Sequence, residues 1–202
     1  MFKEFQVCVR VVVVTVILTG VIYPLCVTVI AKVVFPHQAN GSLAVNSKGK
    51  PCGSNLIVQS FTRMQYFHPR PSAAMISALV PEASPLVSGG ANWGVTSQKL
   101  QERMAADYRK LLQENPNAEK TVPVELITAS ASGLDPHLSP AAAKWQIPRI
   151  AKARNVEADR IERLLENHLV SRQFGVLGEP CVSVLELNLA MDERFGAPLL
   201  EK

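Results

Sequence analysis

The sequence predicts an α+β fold: one N-terminal membrane-spanning helix followed by a single mixed domain of helices and short strands. Three observations carry that reading. Residues 11–31 form an uncharged apolar run. The rest of the chain mixes segments of helical period with segments that alternate or run apolar for a few residues. Those segments do not follow a regular βαβ order, which argues against a parallel α/β sheet. The expected organisation is an anchor over residues 1–35 and one domain over 36–202. A domain of roughly 165 residues buries a core without help from disulfides or metals.

The apolar run reads VVVVTVILTGVIYPLCVTVIA between Arg10 and Lys32. At about 1.5 Å per residue it spans roughly 31 Å, close to a hydrocarbon core of about 30 Å. Thr15, Thr19 and Thr28 are placed to return their hydroxyls to carbonyls of the preceding turn. Pro24 is tolerable there and is expected to kink the helix. A cleaved signal peptide is the rival reading. Its apolar region is shorter and ends at a small-x-small site, which only Val29-Ile30-Ala31 resembles. Lys3 and Arg10 precede the run while Lys32, Lys48 and Lys50 follow it, so charge leaves the orientation open.

Beyond the anchor, residues 35–42 read as a linker and 46–51 as a turn. Residues 55–61 (NLIVQSF) predict a strand. A proline-rich irregular stretch over 68–94 contains a short helix at 73–79 and the turn Ser88-Gly89-Gly90. Thr96 is the expected N-cap of a helix to Glu114, its buried stripe being Leu100, Met104, Tyr108, Leu111 and Leu112. Residues 122–128 (VPVELIT) predict an edge strand. Ser139 followed by Pro140 and three alanines starts a helix, and Pro148 starts a second one to Arg154. Ile161, Leu164, Leu165, His168 and Leu169 mark a third, with Glu157 and Asp159 near its N-terminus. Residues 182–189 (VSVLELNL) alternate, with Leu185, Leu187 and Leu189 on one face, and predict a strand.

A net charge of +4 with 6% aromatic residues, and no basic stripe, excludes a nucleic-acid surface as the main function. Cys8 and Cys26 fall in or beside the apolar run; Cys52 and Cys181 fall in the domain without a CxxC partner. The latter two are either unlinked thiols or, in an oxidising compartment, a pair. His37, His68, His137 and His168 show no metal-ligand spacing, so no metal site is expected.

The densest polar cluster is TASASGLDPHLSPAAA over residues 128–143. Ser130, Ser132, Asp135 and His137 are the residue types of a hydrolytic loop, but no GxSxG elbow accompanies them. The hydroxyls and amides of Ser130, Ser132 and Gly133 also suit a phosphate, though no GxxxxGK[ST] loop is present. Turn chemistry and helix capping explain the same residues without a ligand. Arg70, stiffened between Pro69 and Pro71, presents a planar donor group either to an internal carboxylate or to a partner.

These motifs together resemble the KdpC family, the C subunit of the Kdp potassium-transporting ATPase. The resemblance runs through Gln59-Ser-Phe, Tyr66-Phe-His-Pro-Arg-Pro-Ser-Ala73, Ser88-Gly-Gly-Ala-Asn92, the 128–143 block and Gln146-Ile-Pro-Arg-Ile-Ala151. It continues through Gly175-Val-Leu-Gly-Glu-Pro180 and Val184-Leu-Glu-Leu-Asn188. Ala91, Trp93, Val95 and Ser183 depart from the usual family pattern.

The resemblance implies a single-pass subunit of the prokaryotic cell (inner) membrane, with a cytoplasmic N-terminus and an extracytoplasmic domain. It implies three partners: a channel-like potassium-binding subunit, a P-type ATPase subunit and a small membrane subunit. Phosphoryl chemistry then belongs to the ATPase subunit, whose DKTGT motif is absent here. The expected role is that of a non-catalytic accessory subunit with no cofactor of its own, ATP and potassium being handled by the complex. A catalytic-chaperone role that raises ATP affinity is also implied; Ser130, Ser132, Gly133 and Asp135 are the candidate nucleotide contacts. Arg70 and Gly20 are the candidate partner contacts, Gly20 by permitting close helix approach. The competing expectation is a membrane-tethered nucleotide-binding or hydrolytic enzyme built on the 130–137 loop.

Overall fold

The computed structural model describes residues 1–46, 49–72 and 88–197. The short helix expected at 73–79 lies outside them. The chain divides into two compact units, Met1–Leu43 and Ala44–Lys202.

In the first unit a continuous helical rod runs from Phe2 to Val34, long and apolar enough to cross a membrane. It comprises α1 (Phe2–Ile17), a π-helical turn (Leu18–Ile22) and α2 (Tyr23–Val34). The π turn sits directly ahead of Pro24, whose ring would crowd the carbonyl one turn back and which has no N–H to give. Widening the helix there absorbs that misfit. Thr19 donates to the carbonyl of Thr15 at 2.8 Å and Thr28 to that of Pro24 at 2.7 Å, so both hydroxyls are satisfied within the helix. A short turn of helix, α3 (Pro36–Ala39), follows.

In the second unit, β1 (Leu43–Val45) pairs with β2 (Pro51–Ser54) across the expected turn. Residues 55–61 are irregular rather than a strand. Val58 alone is buried there, its amide donating to the carbonyl of Leu134 at 3.0 Å. The next helix, α4 (Gln98–Glu114), has Ser97 at its N-cap position, one residue later than expected, with no capping bond from the Ser97 side chain. Its apolar stripe is only half-buried and Tyr108 is exposed. Residues 122–128 form a 3-10 turn (Val124–Leu126) rather than an edge strand, because Pro123 sets up a turn and Leu126 folds back into the core.

The core is built by three helices. In α5 (Pro140–Arg154), Ser139 caps the first turn by accepting from the amide of Ala142 at 3.3 Å. Pro148 does not start a new helix; it lies inside this one. The buried face of Trp145, Gln146, Ile147, Arg149 and Ile150 runs past it, and that packing outweighs a cost of about 3 kcal/mol for interior proline. Asn155, in the left-handed region at φ 53°, ends the helix. Next, α6 (Ala158–Asn167) buries Ile161, Leu164 and Leu165 at helical spacing. Each contributes about 1.5–3 kcal/mol by leaving water.

The last segment corrects the sequence reading most. Only Val182–Ser183 (β4) is extended, pairing antiparallel with β3 (His137–Leu138). Residues from Val184 onward form α7 (Val184–Phe195). Ser183 caps it, accepting from the amide of Glu186 at 3.4 Å, while the Glu186 carboxylate accepts instead from the side-chain amide of Asn55 at 2.6 Å. Val184, Leu187, Asn188 and Met191 are buried at positions i, i+3, i+4 and i+7.

Candidate functional site

The polar residues singled out by sequence in the domain gather around one segment without regular secondary structure, 65–72, and the loop 130–137. The segment lies between α5 and α7, which hold it by side-chain amides. Asn188 accepts from the amide of Phe67 at 2.8 Å and donates to its carbonyl at 2.9 Å. Gln146 does the same to His68, at 2.9 and 3.0 Å. Two helices thus supply what neighbouring strands would supply in a sheet. These residues were not singled out as functional by sequence; the signal was polar residues on otherwise apolar helix faces.

Arginines complete the cradle. Arg149 is buried and donates to the carbonyl of Tyr66 at 2.9 Å, to Gln146 Oε1 at 2.8 Å and to His68 Nε2 at 2.9 Å. His68 Nε2 lies equally close, at 2.9 Å, to the carbonyl of Arg63, so the ring stands between a donor and an acceptor. Burial, reinforced by the Arg149 charge, lowers the His68 pKa to about 4. Burial also lowers Arg149 to about 10, which leaves it charged at neutral pH. Arg154 donates to the carbonyl of Gln65 at 2.7 Å and to Asp192 at 2.8 Å, and stacks over the Tyr66 ring.

The 130–137 loop is tied to the same segment. The amide of Ser130 donates to the carbonyl of Pro71 at 2.8 Å, and the hydroxyl of Ser72 donates to the carbonyl of Gly133. The hydroxyls of Ser130 and Ser132 lie 3.0 Å apart; they accept from the amides of Gly133 and Leu134 respectively, each at 3.2 Å. Gly133 has φ 71°, and a Cβ there would lie 2.5 Å from the carbonyl oxygen of Gly89. Asp135 is paired with Arg70 at 3.1 Å, and its other oxygen accepts from the amide of His137 at 3.1 Å. The His137 ring stands 3.7 Å from that oxygen, beyond hydrogen-bond reach.

The hydroxyls of Ser130 and Ser132, the amides of Gly133 and Leu134, and the carboxylate of Asp135 therefore already have partners in the domain. Among the hydrogen bonds of the described residues, neither serine meets His137. Arg70 is paired inside the domain with Asp135. Gly20 lies in the π turn, far in sequence from all of these. Cys52 and Cys181 are unlinked; Cys52 donates to the carbonyl of Ala44 at 3.4 Å. An open cleft of about 360 Å³ lies between segment 60–72 and α4. Arg70, Asp107, Lys110 and Glu114 line it, and this mixture of signs selects neither anion nor cation.

The scaffold residues of segment 65–72, Gln146, Arg149 and Asn188 all fall within residues 5–193, which match the family model for the K+-transporting ATPase c chain, KdpC. The chain belongs to the KdpC family. The potassium-transporting ATPase KdpC subunit of Myxococcus xanthus is 53% identical over 196 residues, spanning 97% of this chain and 90% of that protein. That of Rhodospirillum rubrum is 50% identical over 179 residues, with 89% and 90% covered. That of Bradyrhizobium diazoefficiens is 46% identical over 202 residues, with 95% and 98% covered. The KdpC chain described here is thus a subunit of a potassium-transport complex, with one N-terminal helix suited to a membrane.

Proposed function

We propose that this KdpC chain is a non-catalytic assembly and stabilising subunit of a potassium-transporting ATPase. Its N-terminal helix anchors it in the cell membrane with the N-terminus cytoplasmic, and its domain stands on the extracytoplasmic side. Its partners are a channel-like potassium-binding subunit, a P-type ATPase subunit and a small membrane subunit, which carry the potassium and ATP chemistry.

One observation supports a scaffolding role above the rest. The residues that sequence offered as chemical groups are consumed in holding the domain together: Ser130 and Ser132 brace their own loop, and Asp135 clamps Arg70. Groups already paired inside a fold are poorly placed to meet a substrate. Their rigidity instead keeps a surface in shape for a partner.

The test is purification of the tagged full chain from membranes in mild detergent. A channel-like subunit and a P-type ATPase are expected with it in fixed ratio. Deleting the chain is expected to abolish potassium-stimulated ATPase activity of the remainder or to disperse it. A fully active, intact complex without this chain would sink the reading.

A further inference from the structure

The segment between α6 and β4 is a hairpin that no part of the scaffold above uses. Val170 and Cys181 exchange backbone hydrogen bonds at 2.8 and 3.1 Å, and Gln173 and Leu177 exchange theirs at 2.8 and 2.9 Å. Arg172 and Glu179 close an ion pair across it, with contacts of 2.8 and 2.7 Å to the two carboxylate oxygens. The hairpin is therefore ordered by its own bonds. Its tip, however, is apolar and bare: Phe174 is 94% exposed, Val176 75% and Leu177 58%.

Phe174 also sits at φ 53°, in the left-handed region that a bulky side chain rarely adopts. Asn or Gly would fill that turn position with less strain, and a polar residue would be better solvated. A rigid loop that holds an aromatic ring in water, at a strained backbone position, carries features that the isolated chain does not need.

We infer that the 173–178 tip is an insertion element that docks into an apolar, uncharged pocket on a partner polypeptide of the potassium-transport complex. This rests on the assembly role proposed above. Charge favours a protein pocket over a lipid surface: residues 173–178 carry no charge, and the flanking Arg172 and Glu179 neutralise each other. No cationic excess is left at the tip to seek anionic headgroups. Area argues against a second copy of this chain. Phe174 buries on the order of 150–250 Å² and the neighbours less, well short of about 800 Å² per side for a free-standing dimer. A small rigid anchor suffices for a chain that a membrane helix already holds beside its partners.

The test uses the full chain co-expressed with its partner subunits. A photo-crosslinking amino acid at position 174 is expected to capture a partner subunit. Phe174→Asn, which suits the left-handed turn and removes the ring, is expected to leave the thermal midpoint of the chain unchanged or higher. The same variant is expected to lower recovery of partner subunits by roughly tenfold or more, the scale of an interface anchor. Cross-links to lipid alone or to a second copy, or undiminished recovery with Phe174→Asn, overturn the inference while leaving the assembly role intact. If the unsubstituted chain brings no subunits with it, the assembly role itself fails, and the inference with it.

Discussion

The carboxamide of Asn188 closes both backbone hydrogen bonds of Phe67, 121 residues away in the chain, at 2.8 and 2.9 Å. Phe67 is fully buried, so water cannot replace either bond. Asn188→Ala leaves a buried amide and a buried carbonyl without partners, at a cost of about 2–5 kcal/mol. Urea unfolding of the detergent-solubilised chain measures it. Asn188→Asp restores only the acceptor half and is expected to recover little.

Gly133→Ala is expected to destabilise the domain by about 2 kcal/mol or more, for two reasons acting together. The φ of 71° is costly for alanine, and the added carbon would press on the backbone oxygen of Gly89. Both of these lie in backbone, which has little room to yield. The same urea titration reports it, and an unchanged midpoint would show that the backbone at Gly89 moves away freely.

Stability is expected to fall as pH drops from about 6.5 to about 4. His68 is held neutral in the fold, with its pKa lowered from 6.5 to about 4, by burial first and the Arg149 charge second. Between those values the unfolded chain binds a proton that the folded chain does not, so unfolding gains with acid. Above pH 6.5 the full stability is present. Melting curves across this window should lose much of their slope in His68→Gln, whose neutral amide carries both an acceptor for Arg149 and a donor for the Arg63 carbonyl. An identical slope would assign the pH dependence to other groups.

Arg70 and Asp135 form a pair whose side chains keep about a quarter of their exposure. Such a pair is worth about 0.5–1 kcal/mol, as a double-mutant cycle with Arg70→Ala and Asp135→Ala would read. Loss of Asp135 should cost more than loss of Arg70, because the Asp135 carboxylate also receives the amide of His137.

Titration of the purified chain with ATP is expected to give no saturable heat at Ser130, Ser132, Gly133 and Asp135. The two hydroxyls and the amides of Gly133 and Leu134 would have to break internal bonds to meet a phosphate. Ser130→Ala should therefore register as a loss of stability. A saturable isotherm removed by that substitution would reinstate a nucleotide site there.

The long apolar N-terminal helix, the Ser139 cap of α5 and the apolar stripe of α6 were legible in the chain. Each is a local pattern: an uncharged run, a Ser-Pro start, and Ile161, Leu164 and Leu165 at one-turn spacing. The 182–189 segment misled because its leucines alternate, while the Ser183–Glu186 capping signal and the period of Val184, Leu187 and Met191 pointed to a helix. Pro148 misled in the opposite sense, since a proline ends most helices but not one whose face is buried on both sides of it. The residues of the 130–137 loop were found by sequence, but their pairing was not, because which amide meets which hydroxyl depends on backbone path.

By itself the sequence determined the apolar span suited to a membrane, the main helix-forming segments and membership of the KdpC family, since composition, period and motif spacing are properties of neighbours along the chain. Tertiary structure alone decided that Gln146 and Asn188 act as stand-in strands for segment 65–72, that Arg70 faces Asp135, and that Phe174 is left bare. The first two outcomes join residues 65 to 121 positions apart. They are selected by the requirement that every buried polar group find a partner, and that requirement acts only once the core has closed.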